Sequence, residues 1–95
     1  MLKLPVSGQR LEILEWLRDP VAHFPPQRRG DLVEDGVTPA TVAAKLGVSR
    51  GVARTHLDVL TGIGLLRTKK IRRRTFYHRD EYRIAEVVRF FEAGW

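Results

Sequence analysis

The chain has no cysteine. No disulfide framework, thiolate metal site or cysteine redox switch is open to it, and the absence fits a reducing compartment. Histidine is scarce: His23, His56 and His78 are too scattered to suggest a ligand cluster by spacing. No apolar run approaches the roughly 20 residues of a membrane span, and the opening M-L-K-L-P-V-S-G holds no signal-peptide core. The expectation is a cytoplasmic protein without a membrane partner. A Gly-rich phosphate loop after a strand is missing too, as is any Ser/His/Asp set in recognisable context, so no enzyme is expected. Repeats and low-complexity tracts are absent.

What the chain does have is positive charge, unevenly placed. Its 95 residues fit one domain, expected to span 1–95, with a core small enough that dimerisation is a natural source of added stability. The net charge is +6. Residues 1–40 carry five basic and six acidic groups, and residues 80–95 carry two and four. Residues 65–79 carry seven basic groups and no acidic one. A charge run is often only a solvated face; this one abuts a motif that gives it a use, a phosphate-binding surface.

That motif is T-P-A-T-V-A-A-K-L-G-V-S-R-G-V-A-R-T-H-L-D-V-L-T-G, residues 38–62. Thr38 can N-cap a helix with Pro39 at its first position, and Val42, Ala43 and Leu46 make its apolar stripe. Gly47 supplies the left-handed residue that helix ends favour. Ser49 caps a second helix that buries Ala53, Leu57 and Leu60 at i, i+4, i+7. Two caps one helix length apart, with glycine between, mark a helix-turn-helix. Residues 65–79 then read as a hairpin, L-R-T-K-K-I and T-F-Y-H-R around Arg72-Arg73-Arg74, which is a wing.

The run A-A-K-L-G-V-S-R-G-V-A-R-T-H-L-D-V-L-T-G-I-G-L-L resembles the DNA-binding motif of the ArsR/SmtB-type winged helix-turn-helix transcriptional regulators. The second wing strand with its continuation, T-F-Y-H-R-D-E, is similar to the same family, and the likeness extends over most of the chain. It implies a mainly α fold with a small β-hairpin (α+β), and a cytoplasmic homodimeric repressor on an inverted-repeat operator in double-stranded DNA. It places Ser49, Arg50, Gly51, Arg54 and Thr55 in the major groove, with His56 following. Many relatives carry a hydroxyl at the position of Arg54 and a basic residue at that of Thr55; here the order is reversed. Lys69, Lys70, Arg72, Arg73 and Arg74 are the wing contacts to backbone or minor groove. Tyr77 either donates to a phosphate or packs beneath the wing. His56 either reads a base or holds its helix to the body.

The flanks fill in the rest. Ser7 can cap a helix over about 7–18, which Asp19-Pro20 breaks. Residues 20–37 are long for a helix–helix connection. They form a packed loop anchored by Phe24 and Leu32, or a loop that answers an effector or a second subunit; Val37 can add a short strand beside the wing. Asp80 can cap a last helix over 80–92. Leu11, Leu14 and Trp16 on the first helix, and Ile84, Val88 and Phe91 on the last, form apolar surfaces wide enough to need a partner. By the resemblance these two helices make the dimer interface.

Related proteins sense metals through cysteines or through paired histidines and carboxylates. Neither set is present, so no metal and no cofactor is expected, and any small-molecule effector is a non-metal one. Two competing readings remain, a winged-helix protein-interaction module and a non-specific nucleic-acid-binding protein. Single-stranded RNA binding calls for exposed aromatic platforms, and only Tyr77 offers one.

Overall fold

The computed structural model describes residues 8–92, with side chains as far as residue 90. Five helices and one hairpin follow in order: α1 (Gln9–Arg18), α2 (Pro20–His23), α3 (Pro39–Leu46), α4 (Arg50–Gly62), β1 (Leu66–Ile71), β2 (Arg74–Arg79) and α5 (Glu81–Glu92). The architecture is a winged helix-turn-helix, mainly helical with a two-stranded antiparallel wing.

The α3–α4 pair forms because its ends are locally specified. The Thr38 hydroxyl accepts from the Thr41 N–H at 3.3 Å, and the Ser49 hydroxyl accepts from the Val52 N–H at 3.2 Å. Between them Gly47 takes a left-handed φ of 70°, so the Gly47 and Val48 N–H groups can both donate to the Ala43 carbonyl. The α4 stripe of Ala53, Leu57 and Leu60 is fully buried against a core that includes Val42, Ala43 and Ile13. Truncating one such leucine to alanine costs about 2–5 kcal/mol.

α1 starts from Gly8, without a side-chain cap; Ser7, expected as the cap, lies outside the described residues. Asp19 breaks α1 as expected, but the chain does not go straight into a loop. Pro20 has φ preset for a first helical position and opens the single turn of α2. Trp16 meets Phe24 edge-on, with ring centroids 6.1 Å apart. Phe24 and Leu32 are buried, and so anchor the connection.

Gln27 ties that connection to α3. Its amide NH2 donates to the Gly36 carbonyl at 3.0 Å, and its oxygen accepts from the Thr38 N–H (3.2 Å) and the Thr41 hydroxyl (2.7 Å). Between these ends Asp31 makes its own turn, its carboxylate accepting from the Val33 and Glu34 N–H groups. Gly36 has φ 106°, and a Cβ there would run into the Tyr77 carbonyl. That close approach lets Val37 exchange two backbone hydrogen bonds with Tyr77, an isolated one-residue bridge where a short strand beside the wing was expected.

In the hairpin Leu66 pairs with Arg79, and the register runs to Ile71 opposite Arg74. The tip is therefore two residues, Arg72 and Arg73, both at positive φ (47° and 70°); Arg74, expected at the tip, is already in β2. Phe76 and Tyr77 are neighbours on a strand and point to opposite faces, yet both are buried. Tyr77 joins the main core. The Phe76 ring lies against Gly30 of the long connection, which therefore covers the wing's second face.

Asp80 caps α5, accepting from the Arg83 N–H at 3.0 Å. Ile84 and Val87 pack on the core, whereas Tyr82, Val88 and Phe90 are exposed. No helix among the described residues is long and apolar enough to cross a membrane.

Candidate nucleic-acid interface

The outward face of α4 carries Ser49, Arg50, Gly51, Arg54 and Thr55, all exposed. Burial of Ala53, Leu57 and Leu60 on the opposite side forces this orientation. Arg50 and Arg54 stand one turn apart, each able to offer a planar guanidinium fork. The Thr55 hydroxyl donates back to the Gly51 carbonyl at 3.0 Å, which keeps its lone pairs available as acceptors. Gly51 leaves the first turn of α4 uncluttered.

Arg54 is not simply a mobile surface cation. Its Nε lies 3.7 Å from Asp58 Oδ2, and Asp58 Oδ1 accepts from the Tyr77 hydroxyl at 2.6 Å. A chain of contacts thus runs from β2 through Asp58 to the arginine. It also settles the place of Tyr77, which is 1% exposed and is not presented to a phosphate. Burial, and then the bond to Asp58, push its hydroxyl pKa up to about 12. The expectation of a Tyr77 backbone contact is corrected: its polar end is used inside the molecule.

His56 is likewise turned to the body. Its Nδ1 accepts from Arg10 Nε at 3.1 Å, and its Nε2 lies 3.0 Å from Gln9 Oε1. With Nδ1 accepting, Nε2 carries the proton and donates. The ring pins α4 to the start of α1, which replaces the base-reading alternative.

In a two-stranded ladder, directly opposed residues share a face. Lys70 opposes Thr75 and so lies on the Tyr77 side, toward α4. Lys69 opposes Phe76 and lies on the face covered by the long connection, with Arg67 and Arg74. There Lys69 Nζ donates to Asp35 Oδ1 at 2.8 Å. This bond holds Asp35 below its ordinary carboxylate pKa and Lys69 above its ordinary value. Lys69 therefore ties the wing to the connection. Lys70, Arg72, Arg73 and Arg74 are exposed and form no ion pair among the described residues.

Sequence reasoning missed Arg67, although its i, i+2 spacing from Lys69 on a strand was a usable signal. It missed Asp58 as the group that positions Arg54; the i, i+4 spacing was visible, but the tyrosine behind it was not. Arg28 and Arg29 were also missed. They come beside Arg74 only because the connection folds over the wing.

Of the residues expected at a dimer interface, Leu11 (49%) and Val88 (47%) are exposed. Leu14 belongs to the chain's own core, and Trp16 and Ile84 are partly buried against it. Trp16 lies between Phe24 and the Lys45 ammonium, which is 5.4 Å from its ring centroid. Leu14 and Trp16 thus already have partners within one chain. The Phe91 side chain lies outside the described residues. Among the described residues no three His, Asp or Glu side chains gather into a metal-binding group.

No family model matches the chain. It is 34% identical over 86 residues to an uncharacterized HTH-type transcriptional regulator of Bacillus subtilis (strain 168), YbzH. The match spans 90% of this chain and 86% of that protein.

Proposed function

The chain belongs to the HTH-type transcriptional regulators, and from that premise we infer that it is a cytoplasmic, ArsR/SmtB-type repressor binding an inverted-repeat operator as a homodimer. The observation that carries the reading is the exposed Arg50–Arg54 face of α4, together with the wing cations Lys70, Arg72 and Arg73, which have no carboxylate partner among the described residues. The N-terminal half of α4 enters the major groove, where either guanidinium takes the O6 and N7 of a guanine. Ser49 and the free N–H groups at the start of α4 hold a phosphate. Lys70, Arg72 and Arg73 follow the backbone at the flank. Leu11 and Val88 meet their counterparts in a second chain and set two recognition helices about 34 Å apart. The residues acting are those of one winged helix-turn-helix unit, with no metal and no cofactor.

The test is selection of bound sequences from a random duplex pool at physiological salt. The expected result is an enriched inverted repeat with half-site centres about one helical turn apart. Arg50→Ala with Arg54→Ala should abolish the enrichment, each arginine being worth about 1–3 kcal/mol of base discrimination. Salt-sensitive binding without enrichment would favour a non-specific nucleic-acid binder. No binding at all would favour the protein-interaction module.

A further inference from the structure

The connection between α2 and α3 and the outer face of α3 enclose a groove of about 730 Å³. Arg28, Arg29, Lys45 and Arg74 line it, and none of its lining residues is acidic. None of the four cations forms an ion pair among the described residues, although elsewhere Lys69, Arg54, Arg79 and Arg83 all do. Four like charges around one concavity repel each other, and an anion between them removes that cost. The groove also has an apolar side, from Phe24, the Pro25-Pro26 pair and Ala44, while the Thr41 hydroxyl on its wall is already donated to Gln27. Its volume lies in the range of small-molecule sites, and its make-up is that of such sites, apolar walls with a few converging polar groups.

We propose that this groove binds a small organic anion, a carboxylate or phosphate ester with a short apolar body. The guanidiniums of Arg28, Arg29 and Arg74 hold the charged head, and the Phe24–Pro26 side takes the body. Arg74 connects the site to the wing, since it also lines a smaller groove with Arg29, Ile71 and Arg72 next to the hairpin tip. An occupied groove therefore engages Arg74, next to the tip cation Arg72 that the free protein offers to DNA. That last step rests on the DNA-binding reading; anion binding itself does not.

The experiment is an amide NMR titration of the DNA-free protein with phenyl phosphate and with benzoate at constant ionic strength. Saturable shifts confined to residues 23–24, 27–29, 38–45 and 74 are expected, with affinity at least tenfold lower in Arg28→Ser/Arg29→Ser. The hairpin and α4 amides of that variant should keep their positions, which shows it folded. Shifts that never saturate, that chloride reproduces, or that the variant leaves unchanged overturn the site. A second arm measures DNA binding with and without saturating phenyl phosphate, where a severalfold loss of affinity is expected. If neither probe binds but the variant lowers the salt slope of DNA binding by about two, the groove follows DNA phosphates and the small-anion site is overturned. If the protein binds no DNA, the first titration still decides the site while the regulatory reading fails.

Discussion

Asp58 faces two demands at once, since one oxygen takes the Tyr77 hydroxyl and the other stands near Arg54. Tyr77→Phe removes a bond to a charged acceptor, and about 1.5–3 kcal/mol of stability should go with it, read by denaturant unfolding. Base preference at the Arg54 position should relax at the same time, visible as a flatter selected motif. The pH response follows from the same group. Because the folded pKa of about 12 lies above the ordinary 10, folding favours the protonated phenol. The stabilisation is whole below pH 10 and is lost as pH rises toward 12, so the alkaline decline of wild type should be shallower in Tyr77→Phe. At the wing tip, Arg72 and Arg73 occupy a two-residue turn at φ values that favour Asn-Gly. A non-glycine residue there costs about 1–2 kcal/mol. Arg73→Gly should raise Tm by several degrees and weaken DNA binding, separating the two properties in one variant.

At the scale of elements, legibility in the sequence follows the range of the interactions that fix each one. α3 and α4 were readable because Thr38, Pro39, Gly47 and Ser49 act on N–H and C=O groups within a few residues of themselves. The wing's charge was plain, but its turn was not, since Arg-Arg carries no turn signature. The connection was opaque because its partners are distant: Gln27 reaches α3, Asp35 reaches Lys69 and Gly36 lies against Tyr77. For α1 and α5, apolar spacing gave the helices without saying who covers them. Leu14 and Trp16 face their own chain, while Leu11 and Val88 face outward. Arg50 and Arg54 were legible for the opposite reason, as the residues left over once the α4 stripe is buried. Leu11→Glu with Val88→Glu should convert the proposed dimer to monomers in sedimentation equilibrium. Because both sites are exposed, monomer folding should change by no more than about 0.5 kcal/mol. An unchanged mass would remove the dimer from the reading.

For the whole molecule, the decisive property is an asymmetric field. Seven cations in residues 65–79 face an otherwise nearly neutral body. Binding to duplex DNA should weaken linearly on a log–log salt plot, and replacing Lys70 or Arg72 with glutamine should each reduce the slope by about one. Unlike the arginines of α4, these changes should act evenly on all sequences. The same cations have a second effect through the topology of the hairpin. β2 is flanked on one side by β1 and, at Tyr77 alone, on the other by Val37, whereas no strand among the described residues pairs with the outer edge of β1. Unpaired edges invite strand addition between molecules, and lysine or arginine along them is a common safeguard. Arg67, Lys69 and Lys70 stand along that edge, and a wing stripped of their charge should be prone to pair with the wing of another copy.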